Sequence, residues 1–164
     1  MNNIELREVK LVVFDFDGVF TNNKVIVSQN GDESVVCDRS DGLGLALLRS
    51  IGIKMLVVST ETNPVVSKRA DKLKLACYQG VENKLDFLIK IADEYQIPLE
   101  KIAFVGNDIN DLDCLKVVGL PVVVADAYPQ VKAVAKLILT KNGGEGAVRE
   151  FCEYLYNAIN KKDE

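Results

Sequence analysis

Short apolar runs alternate along this chain with longer stretches of helical period. Residues 11–14, 55–58, 102–105 and 121–124 are compact and apolar, the pattern of strands buried on both faces. Helical spacing occupies 42–50, 64–73, 84–95, 109–118 and 129–135. Asn63 before Pro64 predicts a helix start, an N-cap followed by proline at the first helical position. Gly119 after Val118 predicts a C-cap. Together the alternation predicts an α/β fold, a three-layer α/β/α Rossmann-like sandwich with a mostly parallel sheet.

One segment departs from the alternation. Residues 24–27 and 34–36 flank Ser28-Gln29-Asn30-Gly31-Asp32, and the Asn-Gly pair favours a tight reversal. A β-hairpin of about 24–36 is therefore expected directly after the first strand. No repeat, low-complexity tract or linker follows, so one domain over 1–164 is expected, with no stretch long enough for a cap domain. The polar tail 161–164 is expected to fray.

Composition narrows the chemistry. With 164 residues, 48% hydrophobic and 27% charged, the chain has an ordinary globular balance. A net charge of -4 argues against non-specific nucleic-acid binding. No apolar run approaches the roughly 20 residues needed to span a bilayer, so no membrane partner is expected. Cys37, Cys77, Cys114 and Cys152 are scattered without metal-ligand spacing and read as free thiols of a cytoplasmic protein. There is no histidine, which excludes an imidazole base or ligand.

In an open parallel sheet, ligands gather at the carboxyl ends of the strands. Three polar clusters fall there: Asp15-Phe16-Asp17-Gly18, Ser59-Thr60-Glu61, and Gly106-Asn107-Asp108-Ile109-Asn110-Asp111. Two carboxylates two residues apart repel unless a cation lies between them, and a hard divalent ion such as magnesium accepts oxygen ligands. A carboxylate is also a possible covalent nucleophile toward phosphorus, with a second one as general acid and base. Asp15 and Asp17 taken alone equally suit a turn cap before Gly18. Ser59 offers a hydroxyl ahead of a helix N-terminus, a natural anion site, or simply an ordinary turn. Lys84, opening the helix after Asn83, could hold a phosphate or lie on the surface. The 107–111 loop is dense enough in Asn and Asp to suggest more than capping.

The order Asp15-x-Asp17-Gly18-Val19, Ser59, Lys84, Gly106-Asn107-Asp108-x-Asn110-Asp111 resembles the haloacid dehalogenase superfamily of phosphohydrolases. Closer likeness is to its small capless branch, which holds 3-deoxy-octulosonate 8-phosphate phosphatases, nonulosonate 9-phosphate phosphatases and the C-terminal domain of some acylneuraminate cytidylyltransferases. The likeness extends through Phe20-Thr21, Asp41-Gly42-Leu43-Gly44 and Gly143-Gly144-Glu145-Gly146-Ala147-Val148-Arg149-Glu150. It implies Asp15 as nucleophile, Asp17 as general acid and base, and Ser59 and Lys84 as phosphate holders. It further implies magnesium on the Asp15 carboxylate, the Asp17 carbonyl and a side chain of the Asn107 loop. Glu61, Arg69 and Lys72 resemble the substrate-binding residues of the nonulosonate enzymes, although Arg69 and Lys72 equally suit a solvated helix face. The resemblance also implies a homotetramer in which the hairpin forms an intersubunit barrel and residues 143–146 approach a neighbouring site. The expected substrate is a small-molecule sugar-acid phosphate.

The sequence departs from the family at three places. Asn107 stands where many relatives have an aspartate, Asn22-Asn23 where they often have aspartate-glycine, and Ser59 where they have threonine. These departures leave room for a non-catalytic oligomerisation module, like the degenerate cytidylyltransferase domain. Octulosonate 8-phosphate hydrolysis is the other alternative.

Overall fold

The structure is a computed structural model that describes residues 6–160; the tail at 161–164 lies outside the described residues. Its centre is a six-stranded sheet in which every pairing is parallel. The strands are β1 (Leu11–Phe14), β4 (Lys54–Val58), β5 (Ala76–Tyr78), β6 (Ile102–Gly106), β7 (Leu120–Val123) and β8 (Leu137–Ile138), ordered β5-β4-β1-β6-β7-β8. The chain builds outward from β1 on one side, then returns to build the other half from β6. That reversal opens a crevice at the carboxyl ends of β1 and β6.

Packing explains why the strands are uninterrupted apolar runs. All residues of β1, β6 and β7 are buried, because the helices cover both faces. These helices are α1 (Asp41–Ser50), α2 (Val65–Leu73), α3 (Lys84–Tyr95), α4 (Leu112–Val117), α5 (Pro129–Lys132) and α6 (Ala147–Asn160). Strand pairs β1 with β4 and β1 with β6 run in register from Leu11 opposite Lys54 and Ile102. The three-layer α/β/α sandwich expected from the alternation is present.

Three elements escaped the pattern. β5 and β8 are too short and too exposed to stand out from the flanking helices. α6 buries Val148, Phe151, Cys152 and Leu155 at helical spacing, a stripe that the sequence does carry. It packs on α1 at Gly44, where a Cβ would lie 2.9 Å from Arg149 Cα and 3.0 Å from Cys152 Cβ. Any larger residue there would force the two helices apart.

Local signals fared unevenly. Helix α2 begins at Val65 with Pro64 at its N-cap, one residue later than expected, and Asn63 Oδ1 accepts from Val65 N at 3.1 Å. Gly119 is not a left-handed cap: its backbone N–H donates to Leu99 O, and a Cβ would lie 1.8 Å from Glu100 O. Close approach of chains, rather than φ, requires glycine there. Asn23 adopts φ 63, a conformation glycine takes without strain and asparagine tolerates.

The inserted hairpin pairs β2 (Ile26–Val27) with β3 (Glu33–Ser34) in antiparallel register, and Thr21 bridges to Cys37 at its base. Val25, Ile26, Val27 and Val36 are each more than half exposed. All four cysteines are free, and Cys114 and Cys152 are buried.

Residues 143–144 make a close approach within the chain. A Cβ on Gly143 would lie 1.9 Å from Gly18 O, and one on Gly144 2.4 Å from Asn22 N. Gly144 N donates to Val19 O at 3.1 Å, and Gly143 N to Asp126 Oδ1 at 2.9 Å. The glycines let this loop lie directly on the turn that follows β1.

Asp41, at the start of α1, is 1% exposed, and its Oδ1 accepts from Arg149 N at 3.2 Å while Oδ2 has no partner. Burial pushes its carboxyl up from 3.8 to about 7, against the pull of the Arg149 N–H. Between pH 3.8 and about 7 the folded state keeps a proton that the unfolded state has lost, so stability falls as pH rises through this window. Asp41→Asn should flatten that dependence and exceed the wild type in stability at pH 8 by a few kcal/mol, on the order of magnitude such a shift implies. Urea unfolding of both proteins at pH 5 and pH 8 measures it.

Candidate active site

Asp15 follows the last residue of β1, and its backbone N–H donates to Val105 O at 2.9 Å, which extends the sheet by one residue. This fixes its side chain over the crevice, where it is 4% exposed. Lys84 approaches from the first turn of α3. It begins the stripe Lys84, Leu88, Ile91 that turns inward, so helical geometry forces the lysine into the protein. Asn83 caps that turn by accepting from Asp86 N at 3.1 Å.

Lys84 Nζ donates to Asp15 Oδ1 and to Asp111 Oδ1, each at 2.7 Å. All three side chains are buried. Burial alone would lower the Lys84 ammonium, but the two carboxylates outweigh it and hold it above its ordinary value. Burial and the nearby Asp111 charge push the Asp15 carboxyl up to about 7, against the pull of Lys84. The surface-lysine reading of Lys84 is thereby overturned.

Asp111 has a second task. Its Oδ2 accepts from Asn107 N at 2.9 Å and from Asp108 N at 3.4 Å, which shapes the loop after β6. A Cβ on Gly106 would lie 2.5 Å from Asp111 Oδ2, so the fold needs a glycine beneath that carboxylate. Asp108 Oδ1 accepts from Ile109 N and closes a capping box with Asp111. In that loop Asn107 lies against Asp15. One atom of its amide lies 3.1 Å from Asp15 Oδ2 and 3.0 Å from the Asp17 carbonyl oxygen.

Asp17 is half-buried, and Thr21 Oγ1 lies 3.5 Å from its Oδ1. The Thr21 hydroxyl also accepts from Gly18 N and Asn23 N, so its one proton is left for Asp17. Burial raises the Asp17 carboxyl, with Glu61 adding to the rise. Ser59 is 2% exposed, and its Oγ accepts from Glu61 N at 3.1 Å. Asp15, Asp17, Ser59 and Asn107 line one cleft of about 190 Å³, together with Asn23, Thr60, Asp108 and Asn110.

The helix-start anion site expected beyond Ser59 is not free. Glu61 Oε1 accepts from Thr62 N and Asn63 N, Asn63 Oδ1 from Val65 N, and Gln79 Oε1 from Ser67 N. The N–H groups of Thr62, Asn63, Val65 and Ser67 are thus already engaged by the chain's own side chains, while Ser59 itself lines the cleft. Glu61 nonetheless stands near Asp17. Arg69 and Lys72 share a face, as their spacing predicts, and line a separate basic pocket of about 480 Å³ with Arg39 and Lys68. Arg69 Nη2 donates to Asp38 O at 2.9 Å, while its buried Nε has no partner. Cys37 lies in the wall of this pocket, close enough to feel the charges of both Arg69 and Asp17.

Among the described residues no group of three or more His, Cys, Asp or Glu side chains could hold a metal ion. The donor set beside Asp15 is of another kind, with one carboxylate, one backbone carbonyl and one amide. Neighbouring ligands of an octahedral magnesium ion lie about 3 Å apart, so the spacing around Asn107 suits such an ion.

The comparisons with known proteins agree with this geometry. Residues 68–151 match the haloacid dehalogenase-like hydrolases. The chain is 32% identical over 159 residues to 3-deoxy-D-manno-octulosonate 8-phosphate phosphatase of Escherichia coli K12, covering 96% of this chain and 85% of the relative. The chain belongs to the haloacid dehalogenase-like hydrolases. It is a phosphatase of that family, whose enzymes depend on a metal ion, and no cap domain is present among the described residues. A hydrolase of the same family from Streptomyces avermitilis has a TM-score of 0.90 at 41% identity, over 97% of this chain and 92% of that one. The 3-deoxy-D-manno-octulosonate 8-phosphate phosphatase of Moraxella catarrhalis, solved with magnesium, phosphate and KDO, has a TM-score of 0.93 at 32% identity, over 96% and 91%.

Thr21 and the pairing of Asp111 with Lys84 were not assigned roles from sequence. The signal for the second was present, since a lysine on an apolar helical stripe needs a buried carboxylate to meet it. Asp111→Ala should cost about 2–4 kcal/mol, through lost hydrogen bonds to a charged group and to buried N–H groups. Urea denaturation compared with the wild type gives the value.

Proposed function

We propose that the chain is a magnesium-dependent phosphomonoester hydrolase acting on a sugar-acid phosphate through a phosphorylated Asp15. The observation that carries this reading is Lys84 bound to Asp15 Oδ1 while Asp15 Oδ2 lies beside the Asn107 amide and near the Asp17 carbonyl. One carboxylate oxygen is thereby held against a cation and the other against a metal-type donor set. A magnesium ion held by Asp15, the Asp17 carbonyl and Asn107 would neutralise phosphoryl charge and fix its orientation.

The chain's own residues divide the rest of the work. An oxygen of Asp15 forms a bond to phosphorus as the phosphorus–alkoxide bond breaks. Asp17, raised so that it can hold a proton, gives that proton to the leaving alkoxide. The resulting carboxylate then takes a proton from water as the water attacks phosphorus and the Asp15 oxygen leaves. Lys84 and Ser59 hold the transferring group, with the buried ammonium compensating its charge.

For the substrate, Glu61, Arg69 and Lys72 favour a nonulosonate 9-phosphate, because a basic pocket beside the cleft suits the carboxylate of a nine-carbon acid. The relatives named for 3-deoxy-octulosonate 8-phosphate favour that substrate instead. Comparing kcat/KM on C8 and C9 keto-sugar phosphates decides between them. The reading includes a cytoplasmic homotetramer built on the exposed apolar hairpin.

Asp15→Asn should lower turnover at least about a thousandfold, the scale for removing a nucleophile, and chelation of divalent ions should abolish wild-type activity until magnesium is restored. Equal rates for wild type and variant would leave only the non-catalytic assembly role. Light scattering should give a mass near four times 18.1 kDa, and Ile26→Asp should lower it.

A further inference from the structure

Asn107 meets two acceptors and no donor on its inner side. Asp15 Oδ2 and the Asp17 carbonyl oxygen lie 3.1 and 3.0 Å from the inner amide atom. With nitrogen inward, both receive a hydrogen bond, and the site is satisfied without any cation. With oxygen inward, three acceptors face one another, and the nitrogen faces only donors. That second arrangement is stable only with a positive ion among the oxygens.

The surroundings leave this side chain no third choice. Asn107 is 5% exposed, and its backbone is fixed by Asp111 Oδ2 at 2.9 Å and by Tyr128 N, which donates to Asn107 O at 2.9 Å. Its amide fills the space above Gly18, where a Cβ would lie 2.0 Å from Nδ2. The amide is packed against Gly18, and rotation of its plane exchanges the two ends without moving the backbone.

We propose that Asn107 is a two-position latch for the divalent cation. It donates to Asp15 and Asp17 when the ion is absent, and turns its oxygen inward to bind the ion when it arrives. The proposal rests on the metal site put forward above. An aspartate at this position has no amide N–H to give to both acceptors, and its carboxylate would add negative charge beside Asp15 Oδ2 and the carbonyl oxygen. Asparagine therefore makes the empty site stable, at the expense of affinity. Binding must break two hydrogen bonds and gains one negative charge fewer.

The test uses full-length protein stripped with EDTA and titrated with magnesium chloride, read by calorimetry and thermal melting. Metal-free Asn107→Asp should melt about 3 °C or more below the wild type. Saturating magnesium should close that gap, and the variant should bind the ion roughly tenfold tighter or better. Asn107→Ala, with neither donor nor ligand oxygen, should melt lower when metal-free and bind magnesium more weakly than the wild type. Its behaviour keeps the test decisive if Asn107→Asp fails to fold. In nitrogen-15 spectra the Asn107 side-chain amide, assigned by its loss in the variants, should shift on adding magnesium.

Equal metal-free melting of wild type and Asn107→Asp, or no gain in affinity, overturns the latch while leaving a magnesium-activated wild-type phosphatase intact. A wild type that neither binds magnesium nor hydrolyses phosphomonoesters removes the metal-dependent reading, and the latch with it.

Discussion

A buried ammonium shared by two carboxylates is the constraint around which this molecule is arranged. A single Lys84 Nζ donates both to Asp15, at the end of β1, and to Asp111, in the loop after β6. No member of the trio is tolerable alone in the interior, where an unpaired charge is costly. The helix that carries Lys84, the strand that carries Asp15 and the loop that carries Asp111 must therefore arrive together. Two carboxylates share one ammonium, so acidic groups outnumber basic ones in a water-poor crevice. A cation is the natural complement of that imbalance.

The sheet order supplies the meeting place. β1 lies between β4 and β6, so Asp15, Ser59 and Asn107 all emerge at one end within a single cleft. Neighbouring parallel strands in register bring residues over 40 apart in sequence side by side. The chemistry depends on strand ends, and the strand ends are held by apolar packing that needs no knowledge of the substrate.

Much of this was legible in the amino-acid order. Residues 11–14 and 84–95 coincide with β1 and α3, because a fully apolar run and a capped amphipathic stretch leave little room for other structures. Asp15, Asp17, Ser59 and Asn107 were legible as polar residues at strand ends, and the cleft gathers them. What stayed hidden depended on contacts across the chain. Gly119 looked like a helix cap until Glu100 was seen pressed against it. Glu61 occupies N–H groups of the turn before α2 and Gln79 that of Ser67 in its first turn, and no local pattern announces that the distant Gln79 reaches there. β5 and β8 draw their strand character from a neighbour rather than from their own residues.

The glycine contact between 143–144 and the turn after β1 carries a consequence for biosynthesis. Gly18, Thr21 and Asn22 are held from above by a segment made more than 120 residues later. During translation the early turn leaves the ribosome without that support, and gains it only after residues 143–144 have been made.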